Sequence, residues 1–165
     1  MVLFHLFFAV ASLTINLKSQ IEPFDFSENW GVKPICLPDT CHESCQAGDI
    51  GVVTGWNPET DEPWKYHLEK IVAPIWQYDE CMEMLGNLKY PFGDSHFCGG
   101  FTIGGMSTCS GDSGAGLLCY SAVKGRFVLD GVASWGVTPC DSDYPSVFGK
   151  TCTDSFKKWI EYLRD

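Results

Sequence analysis

Short apolar runs broken by turn residues fill the middle of the chain. Val52-Val53-Thr54, Leu68-Glu69-Lys70-Ile71-Val72, Leu117-Leu118-Cys119-Tyr120 and Phe127-Val128-Leu129 are rich in branched and aromatic residues. Gly, Pro, Asn or Asp bound them, a pattern that predicts β-strands joined by tight turns. The tail follows a different period. Phe156, Trp159, Ile160 and Leu163 recur at helical spacing, and Thr153 or Asp154 stands where an N-cap would. These features predict a β domain closed by an amphipathic helix from about Thr153 to Leu163. At the other end Met1 to Ala11 is apolar and closes on Ala9-Val10-Ala11 before Ser12. Residues 1–11 read equally as a short signal peptide or as a strand of a longer chain, and they are too short to span a bilayer.

The 165 residues suffice for one domain and are too few for two well-cored ones. Hydrophobic content of 45% and charged content of 19% are those of a soluble globular chain, and no repeat or low-complexity tract interrupts it. The formal net charge is −10, from 11 Lys and Arg against 21 Asp and Glu, with no basic run. A nucleic-acid partner is therefore not expected, since binding one requires clustered cations that displace counterions. Nine cysteines, none in a CxxC pair and none spaced with His as in a zinc finger, predict disulfides in an oxidising, extracellular compartment and no metal. The odd count leaves one thiol free or bonded to another polypeptide.

The candidate chemistry lies in Cys109-Ser110-Gly111-Asp112-Ser113-Gly114. Glycines on both sides of a serine allow a tight backbone path that can aim the N–H groups of Gly111 and Ser113 at one point, where an oxyanion would be stabilised. Asp112 between them would need a cationic partner if buried. Alone, Gly-Asp-Ser-Gly is more often a plain turn than a site. Its companions change that: Pro34-Ile35-Cys36-Leu37-Pro38, Thr54-Gly55-Trp56 and Phe97-Cys98-Gly99-Gly100 precede it. Ser134-Trp135-Gly136, Cys140, Pro145-Ser146-Val147-Phe148 and Trp159-Ile160 follow.

In that order these motifs resemble the C-terminal barrel of the chymotrypsin/trypsin family of serine proteases, from about Leu13 to the end. The resemblance implies an all-β fold, a six-stranded antiparallel Greek-key barrel with a C-terminal α-helix, over residues 12–165. It implies that Ser113 is the nucleophile, that the Gly111 and Ser113 amides form the oxyanion hole, and that Asp112 meets the ammonium created by zymogen cleavage. Ser134, Trp135 and Gly136 would bind substrate backbone, although Trp135 also reads as core and Ser134 as a satisfied strand hydroxyl. Ser107 would form the base of the primary specificity pocket and Ser146 one of its walls. By the same resemblance Cys81–Cys98, Cys109–Cys140 and Cys41–Cys152 are bridges. Cys119 lacks its usual partner because Gly51 stands there, so Cys45 is the substitute. Cys36 would tie the chain to an N-terminal protease segment. The expected partners are a polypeptide substrate or a protein inhibitor, with no cofactor and no membrane.

The departures are as informative. The family's base lies in a T-A-A-H-C context, which His5, His42, His67 and His96 all lack. Ala11 falls where the orienting aspartate belongs, and the I-V-G-G activation terminus is missing. Ala115-Gly116 replaces Gly-Pro, Asn57 replaces Gly after Trp56, and Ser146 replaces a common Gly. A serine hydroxyl needs a base within hydrogen-bond reach to act as a nucleophile. The expected activity is thus that of a secreted serine endopeptidase of which this chain is one part, inactive alone. The alternative is a non-catalytic homologue serving as a secreted binding or regulatory module. A lipase-type serine elbow is excluded because strand, not helix, is predicted after Ser113.

Overall fold

The computed structural model describes residues 34–55, 68–86, 88, 92–103, 107–109, 111–137 and 143–164. Residues 1–11, the stretch from Leu13 to Leu17, His5, His67, Asn57 and Cys140 lie outside them. Six strands form one antiparallel sheet: β1 (Ile50–Gly55), β2 (Glu69–Pro74), β3 (His96–Gly99), β4 (Gly116–Ser121), β5 (Arg126–Trp135) and β6 (Ser146–Lys150). Their spatial order is β2-β1-β4-β5-β6-β3, and an antiparallel bridge from Ile75 to Gly99 brings the two edge strands together. The result is the expected six-stranded antiparallel barrel, its edges joined where Gly100 N–H donates to the Pro74 carbonyl and Trp76 N–H to the Cys98 carbonyl, each at 3.0 Å.

Inward-facing residues explain why the strands hold. Val53 on β1, Ala73 at the end of β2, Leu117 and Cys119 on β4, Ala133 on β5 and Phe148 on β6 are all buried in one cluster. A Cβ on Gly51 would come within 2.7 Å of the Leu117 side chain, so glycine at this position leaves room for the leucine. β5 and β6 change register between Ala133 and Trp135, leaving Ser134 as the extra residue of a bulge. Ser134 is exposed as a consequence.

Two helices flank the barrel. The expected one is α2 (Asp154–Arg164), where Thr153 Oγ1 accepts the Phe156 N–H at 3.3 Å and so acts as the cap. Phe156, Trp159 and Ile160 are half-buried along its inner face, with Phe156 and Trp159 in ring contact. The other, α1 (Tyr78–Leu85), was not expected. It buries Cys81 and Leu85 one turn apart and is fastened to β3 through Cys81.

Three disulfides join described residues, each a pair expected above: Cys41–Cys152, Cys45–Cys119 and Cys81–Cys98, with Cα separations of 5.0, 5.8 and 6.0 Å. All fall within the range a disulfide can bridge. Cys109 is also bonded, while Cys36 is a half-buried free thiol. The Cys36 segment runs parallel to β5, and its carbonyl accepts the Leu129 N–H at 2.9 Å. No helix of the described residues is long and apolar enough to cross a membrane.

Candidate active-site loop

Gly111 and Gly114 take φ values of +108° and +86°, which side chains with a Cβ rarely adopt, so the serine loop needs glycine at both positions. Two turn bonds shape it: Asp112 N–H donates to the Cys109 carbonyl at 2.9 Å and Ala115 N–H to the Asp112 carbonyl at 2.8 Å. The loop is then laid on β5. Gly114 N–H donates to Ala133 O at 2.9 Å, and Ala133 N–H returns a bond to Ala115 O at 2.8 Å. Gly111 and Ser113 are left exposed with Asp112 turned beneath them, only 6% exposed.

Asp112 carries the electrostatic tension of the loop. Its Oδ2 accepts the Cys109 N–H at 2.9 Å, but its Oδ1 is buried without a hydrogen-bond partner. Burial pushes its carboxyl above the usual carboxylate range, and the Cys109 bond opposes this only in part. No described cation pairs with it. Gly55 packs directly on Oδ1, and a Cβ there would collide with the carboxylate. That contact gives Thr54-Gly55-Trp56 a physical reason: the glycine makes room for the buried acid.

Beside the loop, three other stretches converge. Ser146, 2% exposed, accepts hydrogen bonds from the Thr108 N–H at 3.0 Å and from Thr108 Oγ1 at 2.9 Å. Ser107 Oγ donates to the Thr108 carbonyl at 3.3 Å. A Cβ on Gly136 would lie 3.8 Å from that same carbonyl. Ser107, Gly136 and Ser146 are thus neighbours around Thr108, a residue that sequence reasoning passed over because nothing in its local pattern marks it. Trp135 is half-buried and packs against the cluster of Cys81, Leu85, Cys98 and Val147.

The histidines described are elsewhere. His96 opens β3, with its Nδ1 3.2 Å from Ser95 Oγ and its ring against Phe92. His42 lines a cavity with Cys41 and Asp130. No described side chain hydrogen-bonds the Ser113 hydroxyl.

A barrel of this order, a glycine-flanked serine over a buried aspartate and a disulfide-braced frame define a trypsin-like serine protease domain. The Trypsin family model matches residues 13–160, and the chain belongs to that family. It is 36% identical over 152 residues to the Spaetzle-processing enzyme of Drosophila melanogaster, covering 89% of this chain and 36% of that protein. Serine proteinase stubble of the same organism is 34% identical over 150 residues, 87% of this chain and 18% of that protein. Trypsin II-P29 of Gallus gallus is 33% identical over 154 residues, 90% of this chain and 53% of that protein. The chain therefore spans about half or less of the length of these relatives.

Proposed function

We propose that residues 12–165 form the nucleophile-bearing barrel of a secreted serine endopeptidase, with Ser113 as nucleophile and Gly111 and Ser113 as oxyanion-hole donors. The observation that carries this reading is the loop itself: an exposed serine between two left-handed glycines, bonded to β5 and seated on a buried acid. Attack on a peptide carbonyl requires the Ser113 proton to leave, and no histidine of this sequence stands in the family's context for a base. The base and its orienting carboxylate come from a second segment, to which the half-buried thiol of Cys36 offers a tether. Asp112 awaits a cation: an incoming ammonium would pair with Oδ1, hold the carboxylate ionised and fix the Gly111 amide in place.

Ser134 and Gly136 would hold substrate backbone, while Ser107 forms the base of the side-chain pocket and Ser146 braces its wall through Thr108. Without a carboxylate at Ser107, a basic side chain entering there would be desolvated unpaired, at a cost of several kcal/mol. The assembled protease should therefore cleave after apolar or aromatic residues, and Ser107→Asp should shift preference toward arginine. A domain that cleaves chiefly after arginine with Ser107 intact would contradict this assignment.

The second reading, a non-catalytic binding module, rests on the same missing base. Native protein labelled with a serine-directed phosphonate and analysed by mass spectrometry separates the two. Label on Ser113 in a polypeptide that carries a histidine-bearing segment, fused or bonded through Cys36, supports the protease. Unlabelled protein with no such segment supports the binding module.

A further inference from the structure

A second buried acid among the described residues, Asp130, lies on β5. Asp130 is 2% exposed. Its backbone is pinned, since its carbonyl accepts both the N–H and the Oγ1 of Thr151 at 3.1 Å. Its Oδ2 accepts the Cys45 N–H, the Ser44 hydroxyl also lies against the carboxylate, and Oδ1 is buried without a well-formed hydrogen bond. The carboxylate lines a cavity of about 270 Å³. Phe97 and the disulfides Cys41–Cys152 and Cys45–Cys119 supply its apolar wall, and His42, Ser44 and Lys150 supply polar groups.

We propose that this cavity binds an organic monocation, a primary ammonium or guanidinium on an apolar stem, with Asp130 as its counter-ion. Sign, size and donor set each narrow the choice. A fixed buried acid whose close donors, the Cys45 N–H and the Ser44 hydroxyl, are both neutral calls for a cation to offset burial of the charge. Asp49 adds negative potential nearby, and the chain as a whole carries −10. A bare metal ion fits poorly. The ligand atoms of Cys45, Cys119 and Asp130 lie within 4.8 Å of one another, but the two sulfurs are bonded to each other and offer no thiolate. The cavity also holds several times the roughly 30 Å³ of one water, enough for a cationic head and a short hydrocarbon stem. Lys150 does not fill the role, since its Nζ donates to the Asp94 carbonyl at 2.9 Å. It stands at the wall as a competing charge.

Calorimetric titration of the full chain at pH 8 with n-butylguanidine, n-butylamine and the neutral isostere n-pentanol tests this without reference to Ser113. The expected result is saturable binding of the two cations and none of pentanol. Asp130→Asn, which keeps an acceptor for the Cys45 N–H, should weaken cation binding at least about tenfold, a difference of 1.4 kcal/mol. Lys150→Gln should strengthen it several-fold, and it serves as the deciding variant should Asp130→Asn fail to fold. N-acetyl-arginine amide separates the sources: affinity equal to butylguanidine points to a side chain of a polypeptide, and affinity for the free amines alone points to a small molecule. The proposal is overturned by pentanol binding as well as the cations, by undiminished binding to folded Asp130→Asn, by Lys150→Gln without effect, or by no saturable binding at millimolar concentration.

Discussion

Asp112 and Asp130 share one design: a buried carboxylate with Oδ2 held by a backbone N–H and no described cation paired with it, Asp130 having the Ser44 hydroxyl in addition. Burial raises both above their ordinary values, so in the free protein the folded state binds more protons than the unfolded state across that interval. Stability from these two groups is therefore greatest near and below the unfolded value of about 4 and declines as pH rises through the shifted values. Replacing both by Asn removes the charge that must be buried at neutral pH. The double variant should melt higher than wild type at pH 7, with the gap closing toward pH 4, and thermal melts between those limits check it. A gap that widens on acidification would mean that both acids are ionised and paired in the folded state. Neither carboxylate's environment was legible in the sequence. Asp112 was marked by its motif, but Asp130 sits in an apolar run where one aspartate gives no sign of which way it faces. Gly55 extends the same theme, because only hydrogen fits against Asp112. Gly55→Ala should cost about 1–3 kcal/mol, the usual scale of overpacking, and should disturb the Ser113 loop with it. Urea unfolding gives the cost, and an unchanged midpoint would show that the acid can move away.

Strands with strong apolar cores were legible element by element. β1, β2, β4 and β5 each contain a run read as strand, and α2 begins one residue after the residue named as its start. β3 and β6 are four and five residues long and surfaced only as pieces of family motifs. The sequence of α1 does carry a helical pattern, since Tyr78, Cys81, Met82 and Leu85 recur at i, i+3, i+4 and i+7. Eight residues are too short a window for that period to stand out, and the helix owes its stability to packing and to the Cys81–Cys98 bridge. The bulge that exposes Ser134 was invisible too, because register depends on the partner strand. For α2 the cap is specific enough to test. Thr153→Ala removes the acceptor of the Phe156 N–H and should cost about 1 kcal/mol with the barrel intact, read as a lower denaturant midpoint and unchanged slope. No loss would mean that packing of Phe156 and Trp159 alone sets the helix start.

At the scale of the whole molecule, the described barrel presents Ser113 on an exposed loop. Ile103, Val123 and Tyr120 are more than half exposed, so the isolated chain should tend to associate. The sequence made the family legible because motifs in fixed order specify a frame, and the frame positions Ser113, Ser107 and Ser146 before any side chain is considered. It could not supply Thr108, whose bonds to Ser146 exist only because β6 and the 107–109 stretch meet in space. The central claim is that Ser113 is placed for attack yet has no base within this chain. The most direct test is to express all 165 residues under oxidising conditions and titrate Ser113 with a serine-directed phosphonate between pH 5 and 9. The account predicts no stoichiometric labelling at any pH and no turnover of peptide substrates. Stoichiometric labelling that rises with pH, accompanied by turnover, would show that a group of this chain activates Ser113 and would contradict it.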